Sequence, residues 1–203
     1  GAPGEFYTAV GGIETVPFAD DFETNQGWTE ANLGASSGDW ERGVPVNDPN
    51  WSYDPASDYD GSGSCYLTQN QTGNTDVDNG AVQLVSPAID LSVPGSILSY
   101  AYYLRLTNAN GVDQLLVEAS SAGGPFSEVT RHDTDGGSDW RTATLTQADF
   151  IAAGVTPGPQ VRLRTSTMKR ANSSRSLSRP SSQSRIELSG AGSGLRRASD
   201  DSS

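Results

Sequence analysis

Aspartates and glycines are concentrated in segment 57–80, "SDYDGSGSCYLTQNQTGNTDVDNG". Calcium takes about six to eight oxygen ligands, carboxylates and backbone carbonyls among them, in a flexible geometry. Asp58 and Asp60 supply carboxylates, and the glycines that follow them accept backbone angles that turn carbonyls inward. The spacing resembles the start of an EF-hand, but the twelfth position holds Gln69 instead of the closing Glu. These residues predict a calcium-binding loop that is not an EF-hand.

Two other interpretations of this segment stay open. Asp58 and Asp60 would share a face of a strand and could serve as the acid and base of a glycosidase, although nothing marks a substrate cleft. The run "TDVDNG" (75–80) is typical of a tight turn, because Asn-Gly suits a type I′ hairpin. Catalysis is disfavoured by a single Cys65, a single His132 in the polar run "TRHDTDGG", and the absence of an HExxH motif. We expect Cys65 to be a small buried hydrophobic residue and the chain not to be an enzyme.

Aromatic residues fall into two groups by their surroundings. Four lie in polar, loop-like stretches: Trp40, Trp51, Tyr53 and Tyr59. Four lie in strand-like stretches and are predicted to be core: Trp28, Tyr66, Tyr100 and Tyr102. Rings in loops can stack on sugars or other flat apolar ligands, although such rings are as often buried in the protein. Trp40 in "GDWERG" is predicted to be a structural anchor, and Trp51 and Tyr53 in "NDPNWSYDP" to contact a ligand.

Strands separated by turn residues must position these groups. The clearest strand patterns cover residues 65–68, 81–91, 96–106, 114–120, 140–146 and 160–166. The pattern at 96–106 is apolar on both faces, as in a central strand that is covered by another layer. "TQADFIAAG" predicts one helical turn that begins after Thr146 and stops at Gly154. The fold class is therefore all-β, an antiparallel β-sandwich.

Charge divides the 203 residues unequally. Residues 1–160 hold 22 acidic residues against 4 arginines, and residues 161–203 hold 9 basic residues against 3 acidic ones. An acidic body disfavours nucleic acid, since phosphate contacts need Lys and Arg, and it favours cations. No apolar run reaches the roughly 18 residues that a membrane-spanning helix needs. Residues 171–203 contain 12 serines and 5 arginines, which predicts a disordered tail or, as the lesser alternative, an RNA-binding segment.

Several ordered motifs, spread over residues 16–166, resemble one family. They are "FADDFETNQGWT", "GDWERGVPV", "DYDGSGSCYLTQN", "TDVDNG" and "LVSPAIDLS". The chain resembles the C-terminal MAM-like, jelly-roll β-sandwich modules of secreted bacterial multidomain proteins, such as those attached to zinc carboxypeptidase-like enzymes. The resemblance implies three parts: residues 1–12 as the end of a preceding Ig-like domain or linker, residues 13–167 as the module, and residues 168–203 as a tail.

The resemblance also implies ligands, partners and a location. Calcium would be held by Glu23 of the "FE" motif and by Asp58 or Asp60, with Asp21 as a further candidate. The implied function is a non-catalytic, calcium-stabilised accessory module that stabilises or attaches a neighbouring enzyme domain outside the cell. The alternative is a carbohydrate-binding module that uses Trp51 and Tyr53 on an extracellular glycan. Neighbouring domains of the parent protein are the expected partners.

The tail departs from the family pattern. Modules of this family end in an acidic pair and an apolar strand, which do not follow "VRLRTST". Codons allowed for Arg175–Pro180 read Phe-Ile-Val-Glu-Ala in a shifted frame, and residues 184–188 also give a family-like run. We therefore expect a frameshift near Met168, which the coding DNA tests. Without its final strand, the sandwich would expose a neighbouring strand edge.

Overall fold

The computed structural model describes residues 18–106, 113–169 and 182–187, and for residues 168–169 and 182–187 the backbone alone. The described residues form these elements: β1 (Thr29–Asn32), β2 (Trp40–Gly43), β3 (Cys65–Thr68), β4 (Ala81–Val85), β5 (Ile97–Leu106), β6 (Asp113–Ser121), β7 (Ser127–His132), β8 (Arg141–Thr146), α1 (Gln147–Ala152), β9 (Val161–Lys169) and β10 (Ser182–Glu187). One five-stranded sheet has the order β1-β4-β9-β6-β7 and the other β2-β3-β10-β5-β8. Neighbouring strands are antiparallel, which confirms the predicted jelly-roll β-sandwich.

Five of the six predicted strands are confirmed, and the sixth is shorter than predicted. β3, β5, β6, β8 and β9 agree with their predicted bounds to within three residues at either end. The predicted strand 81–91 ends at Val85, and further along Ile89 makes only an isolated bridge to Val161. β1, β2 and β7 were not predicted, because β1 is exposed throughout and the other two are largely polar.

The core lies between the sheets. On β5, Leu98, Tyr100, Tyr102, Leu104 and Leu106 share the inward face, and all five are buried. Trp28 and Tyr66 are buried as well, so the four aromatic residues predicted to be core are confirmed. Trp40 is buried, which agrees with its predicted role as an anchor, and Cys65 is fully buried as expected.

The helical turn forms where the sequence predicts it. α1 begins after Thr146, whose backbone N–H and hydroxyl both donate to a carboxylate oxygen of Asp149, at 2.7 Å each. Gly154 follows the helix with φ of +77°, a value that suits glycine. Phe150 on α1 is buried against the sandwich. No helix among the described residues has the length and apolar character needed to cross a membrane.

The strand β10 corrects part of the prediction for the tail. Residues 182–187 were assigned to a disordered segment, but they pair with β5 over six residues and with β3 at one register position. β10 therefore lies in the middle of the second sheet, where the backbone groups of β3 and β5 would otherwise be unpaired. The frameshift near Met168 stays a prediction, and residues 170–181 and 188–203, like residues 1–17, lie outside the described residues.

Candidate functional site

Residues 58–64, which we call the acidic loop, precede β3. Three predicted calcium ligands, Asp58, Asp60 and Glu23, accept hydrogen bonds from residues 62–64 of this loop. Asp58 Oδ2 accepts hydrogen bonds from the Gly63 backbone N–H (2.7 Å) and the Ser62 hydroxyl (3.2 Å). Glu23 Oε1 accepts from the Ser64 backbone N–H. Asp60 Oδ1 accepts from the Ser62 backbone N–H at 2.9 Å. Each of these three carboxylates thus uses an oxygen to hold the loop before β3.

Asp21 and Arg42 complete the surroundings of this loop. Asp21 Oδ1 accepts from the Glu23 backbone N–H at 3.1 Å, and the Asp21 carbonyl oxygen lies 3.5 Å from the Ser62 hydroxyl that donates to it. The Arg42 guanidinium donates to the carbonyl oxygens of Phe22 (2.8 Å) and Glu23 (3.2 Å). A cationic donor therefore already interacts with two carbonyl oxygens beside the predicted ligands.

The fit to calcium is therefore incomplete in this arrangement. Within residues 18–106 and 113–169, no three His, Cys, Asp or Glu residues are grouped so that they could hold a metal ion. The carboxylate oxygens described above are engaged by N–H and O–H donors, which is what a carboxylate does when it stabilises a tight loop. Calcium binding by Glu23, Asp58, Asp60 and Asp21 stays a prediction.

The direction of the pKa shift of Asp60 does not support a role as a catalytic acid. Partial burial raises the pKa of Asp60, but the hydrogen bonds from the side chain and backbone of Ser62 outweigh burial and the net shift is downward. A glycosidase acid needs a raised pKa so that it carries a proton near neutral pH. Asp60 is instead held in its ionised form.

The segment "TDVDNG" packs against another loop and does not form a hairpin turn. The Asp78 carbonyl oxygen accepts from the Ser36 backbone N–H at 2.8 Å, and Asp78 forms an isolated bridge with Ser37. Asn79 has φ of +60°, but Gly80 does not take a positive φ, so the predicted type I′ turn is wrong. A Cβ at Gly80 would lie 2.3 Å from the backbone N of Ala35, which explains the glycine by close approach.

The predicted ligand-contact residues Trp51 and Tyr53 form a half-buried pair. Their ring centroids are 4.9 Å apart with planes tilted by 54°. Trp51 Nε1 donates to the Thr75 hydroxyl at 3.1 Å, and the same hydroxyl donates to Asp54 Oδ1 at 2.9 Å. The Arg105 guanidinium carbon of β5 lies 5.5 Å from the centroid of the Tyr53 ring. Hydrogen bonds and ring contacts fix both side chains beside β5.

A second aromatic pair lies on the same face of β5. Trp140, just before β8, makes an edge contact with Tyr59 (centroids 6.0 Å apart) and another with Tyr103 (5.6 Å). Trp140 Nε1 donates to the Ser57 carbonyl oxygen at 3.1 Å, which ties residues 57–59 to β8. Tyr59 is 39% exposed, and Trp140 is half-buried.

Both pairs belong to one surface, because Tyr103 and Arg105 are two residues apart on β5 and point to the same side. We call this surface the aromatic face, and it comprises Trp51, Tyr53, Tyr59, Tyr103 and Trp140. Sequence reasoning missed Trp140 and Tyr103. Trp140 was included in a strand, and its contact with residues 57–59 spans about 80 positions of the chain, which no local pattern reveals.

His132 lies at the opposite side of β5, in β7, and not in the polar loop that the sequence predicted. Its ring stacks on Tyr102 with centroids 3.8 Å apart, and Nε2 lies 2.8 Å from the Tyr100 hydroxyl. Burial, with Arg141 as a lesser cause, lowers the pKa of His132 to about 4. His132 is therefore neutral at pH 7 and acts as a core residue at the edge of the sandwich.

The two antiparallel sheets define an all-β sandwich that carries the aromatic face on one side. Among solved structures, the K1 cleaved adhesin domain of Lys-gingipain from Porphyromonas gingivalis W83 is similar at 15% identity and a TM-score of 0.49, over 84% of this chain and 94% of that one. The C-terminal family 22 carbohydrate-binding module of Clostridium thermocellum Xyn10B is similar at 14% identity and a TM-score of 0.41, over 84% and 88%.

A family 11 carbohydrate-binding module from Clostridium thermocellum, solved with a β-1,3-1,4-mixed-linked tetrasaccharide, is similar at 12% identity and a TM-score of 0.43, over 83% of this chain and 90% of that one. No protein-family model and no curated protein sequence matches the chain. Likenesses this weak concern shape alone, so function has to be inferred from this chain's own residues. Kinship with MAM-like modules of carboxypeptidase-like enzymes stays a prediction.

Proposed function

We propose that the chain is a non-catalytic accessory module that binds a glycan at the aromatic face. The observation that carries the proposal is the convergence of four loop-borne rings, Trp51, Tyr53, Tyr59 and Trp140, on the outward side of β5. Binding sites for small ligands combine apolar and aromatic surface with a few polar groups that fix orientation. Here Asp54, held by Thr75, lies beside the rings.

Pre-organisation supports this assignment over simple packing. Both tryptophan N–H groups are already hydrogen-bonded, Trp51 to Thr75 and Trp140 to the Ser57 carbonyl. Their rings therefore keep one orientation, which lowers the conformational entropy lost when a ligand stacks on them. Tyr59 exposes more than a third of its surface, as a ligand-contact residue requires.

The biological role follows from this binding. We propose that the module belongs to a secreted bacterial multidomain protein and attaches a neighbouring enzyme domain to glycan-bearing material. Calcium bound at the acidic loop would stabilise residues 58–64, which include Tyr59 of the aromatic face.

Affinity electrophoresis tests the glycan proposal. The chain is run through gels containing soluble xylan, mixed-linkage β-glucan, galactomannan or glycol chitosan, and retardation by at least one is expected. Tyr59→Ala and Trp140→Ala should each weaken binding about tenfold or more, equivalent to about 1.4 kcal/mol. Phe126→Ala is the matched aromatic control, because Phe126 packs under Arg164 on the other sheet.

Intrinsic fluorescence gives an independent readout. A bound sugar should change the tryptophan emission, and Trp51→Ala should remove part of that change while the thermal melt stays cooperative. The glycan proposal fails if no polysaccharide retards the chain, or if the aromatic-face variants bind as tightly as Phe126→Ala.

A further inference from the structure

We propose that Arg105 and Asp135 together form a hydroxyl-binding subsite of the aromatic face, which makes neutral glycans the ligands of that face. This inference rests on the proposed function, and it names the ligand class of that same site. Three observations carry it: the place of Arg105 between two loops, the unused hydrogen-bond donor of its guanidinium, and its distance from the Asp135 carboxylate.

Arg105 lies where the two loops that carry the ring pairs meet. Its guanidinium carbon is 5.5 Å from the centroid of the Tyr53 ring, which belongs to the loop before β3. Its Nη1 atom is 3.8 Å from Oδ2 of Asp135, in the loop before β8 that also carries Trp140. Tyr103, two residues earlier on β5, contacts the Trp140 ring. Groups from both loops therefore approach one cationic side chain on the outward side of β5.

The guanidinium of Arg105 is not satisfied by the protein around it. Its Nε–H group is buried and has no hydrogen-bond acceptor in the part of the chain that the structure describes. The 3.8 Å from Nη1 to Asp135 Oδ2 is too long for a hydrogen bond, so the two groups form an ion pair only. An unused donor on a largely buried charge is costly and calls for a functional reason. Because Nε is covered and the side chain as a whole is 24% exposed, the terminal nitrogens are the groups that a ligand meets.

Asp135 holds its carboxylate in place beside this guanidinium. Its Oδ1 atom accepts from the backbone N–H groups of Leu106 and Gly137, both at 3.0 Å. These bonds fix the carboxylate, and Oδ2 is the oxygen that lies 3.8 Å from Arg105 Nη1. A carboxylate oxygen accepts more than one hydrogen bond. The pair therefore presents a donor and an acceptor at a fixed separation.

A hydroxyl group fits this donor and acceptor, and a carboxylate does not. One hydroxyl oxygen can lie about 2.8–3.0 Å from both atoms, where it accepts from Arg105 and donates to Asp135. An ionised carboxylate has no hydrogen to donate, and the charge of Asp135 repels it. An O-methylated sugar keeps an acceptor and loses the donor. Neutral sugars with free hydroxyls therefore satisfy the subsite, while the neighbouring rings supply the apolar contact.

Affinity electrophoresis with native and O-methylated polysaccharides tests this inference. The probes are xylan, mixed-linkage β-glucan and galactomannan, each in native and partly O-methylated form, together with polygalacturonate. At least one native neutral polymer should retard the chain, and its O-methylated form should bind about fivefold or more weakly, as expected for a lost hydrogen bond. Polygalacturonate should not retard the chain.

Variants of Arg105 separate hydrogen bonding to the ligand from packing under Tyr53. Arg105→Met keeps an unbranched side chain and should weaken binding of the native polymer about tenfold or more. In this variant O-methylation should change the affinity less than about twofold, since the hydroxyl has already lost its donor. Arg105→Lys keeps the charge but not the planar guanidinium and should bind about threefold or more weakly, which keeps the test open if Arg105→Met does not melt cooperatively. Arg162→Met is the matched control, because Arg162 is exposed on β9 of the other sheet.

The outcomes are distinguishable. Arg105 variants that bind the native polymer as tightly as Arg162→Met would overturn the inference and leave glycan binding intact. If O-methylation weakens binding by the same factor in the wild type and in the Arg105 variants, Arg105 only positions Tyr53, and the inference fails as well. Retardation by polygalacturonate as strong as that by the neutral polymers would also overturn it. No retardation by any polymer would overturn the proposed function together with the inference.

Discussion

Thr75 controls the position of two side chains of the binding region, so replacing it tests the structure directly. Thr75 is fully buried, and its hydroxyl accepts from Trp51 Nε1 at 3.1 Å and donates to Asp54 Oδ1 at 2.9 Å. Valine has nearly the same shape, so Thr75→Val opens no large cavity and removes both of these hydrogen bonds. A bond between neutral groups contributes about 0.5–1.5 kcal/mol, and one to a charged group about 1.5–3 kcal/mol.

The lower ends of these ranges apply, because Trp51 and Asp54 are only half-buried and can turn towards water. Thr75→Val should therefore lower the free energy of unfolding by about 2 kcal/mol. Equilibrium urea unfolding measures this, and with an m-value of about 2 kcal/mol/M the midpoint should fall by about 1 M. Thr75→Ser, which keeps the hydroxyl and loses one methyl group, should cost about 1 kcal/mol.

A double-mutant cycle isolates the bond to Trp51. Trp51→Phe keeps an aromatic ring but has no N–H donor, so Thr75→Val should cost less in that background, by about 0.5–1 kcal/mol. Thr75→Val should also weaken glycan binding, since the Trp51 ring loses its fixed orientation. A coupling energy of zero, or a larger loss for Thr75→Ser than for Thr75→Val, would refute the role assigned to this hydroxyl.

Three further predictions concern the rest of the sandwich. The pKa of His132 is about 4 in the folded state, below its unfolded value of 6.5. The contribution of His132 to stability is therefore fully present above pH 6.5 and is lost as the pH falls towards 4, by on the order of 2 kcal/mol. Urea midpoints at pH 7 and pH 4.5 measure this loss, and His132→Phe should flatten the pH dependence. Glu118→Gln breaks the bidentate pair with Arg164 and should cost about 2 kcal/mol, whereas Glu128→Gln in an exposed pair should cost about 0.5 kcal/mol or less. Millimolar calcium should raise the melting temperature relative to excess chelator, because a ligand at a hundredfold excess over Kd stabilises the folded state by about 2.7 kcal/mol. Glu23→Gln should abolish this rise. An unchanged melting temperature would refute calcium binding at the acidic loop.

Periodicity accounts for the part of the fold that the sequence could predict. β5 was found because its apolar residues occupy both faces over ten positions, and burial of that strand is what the pattern encodes. β1 could not be found in this way, since "TEAN" is exposed at every position and becomes a strand only through pairing with β4. Tertiary pairing overrides weak local preference at such edges.

The candidate site was predictable only where its residues are local. Trp51 and Tyr53 could be selected because two aromatic rings stood in a polar stretch, and the structure does bring them together. Trp140 was overlooked because its partners, Tyr59 and the Ser57 carbonyl, are distant in sequence. A single sequence carries no signal for such a contact beyond the presence of a tryptophan before a strand.

Several aspartates of this acidic chain stabilise its loops by accepting hydrogen bonds from backbone N–H groups. Asp48 accepts from the backbone N–H groups of Asn50 and Gly73, Asp58 from that of Gly63, and Asp135 from those of Leu106 and Gly137. Apart from Leu106, which ends β5, the backbone donors lie in loops outside the strands, and these loops carry or border the aromatic rings. The hydrogen bonds lower the pKa of Asp48, so its contribution is present above its unfolded pKa and is lost as the pH falls through the lower folded value. These aspartates therefore hold loops that carry or border the rings, and protonation of Asp48 in strong acid should loosen the loop that carries Trp51.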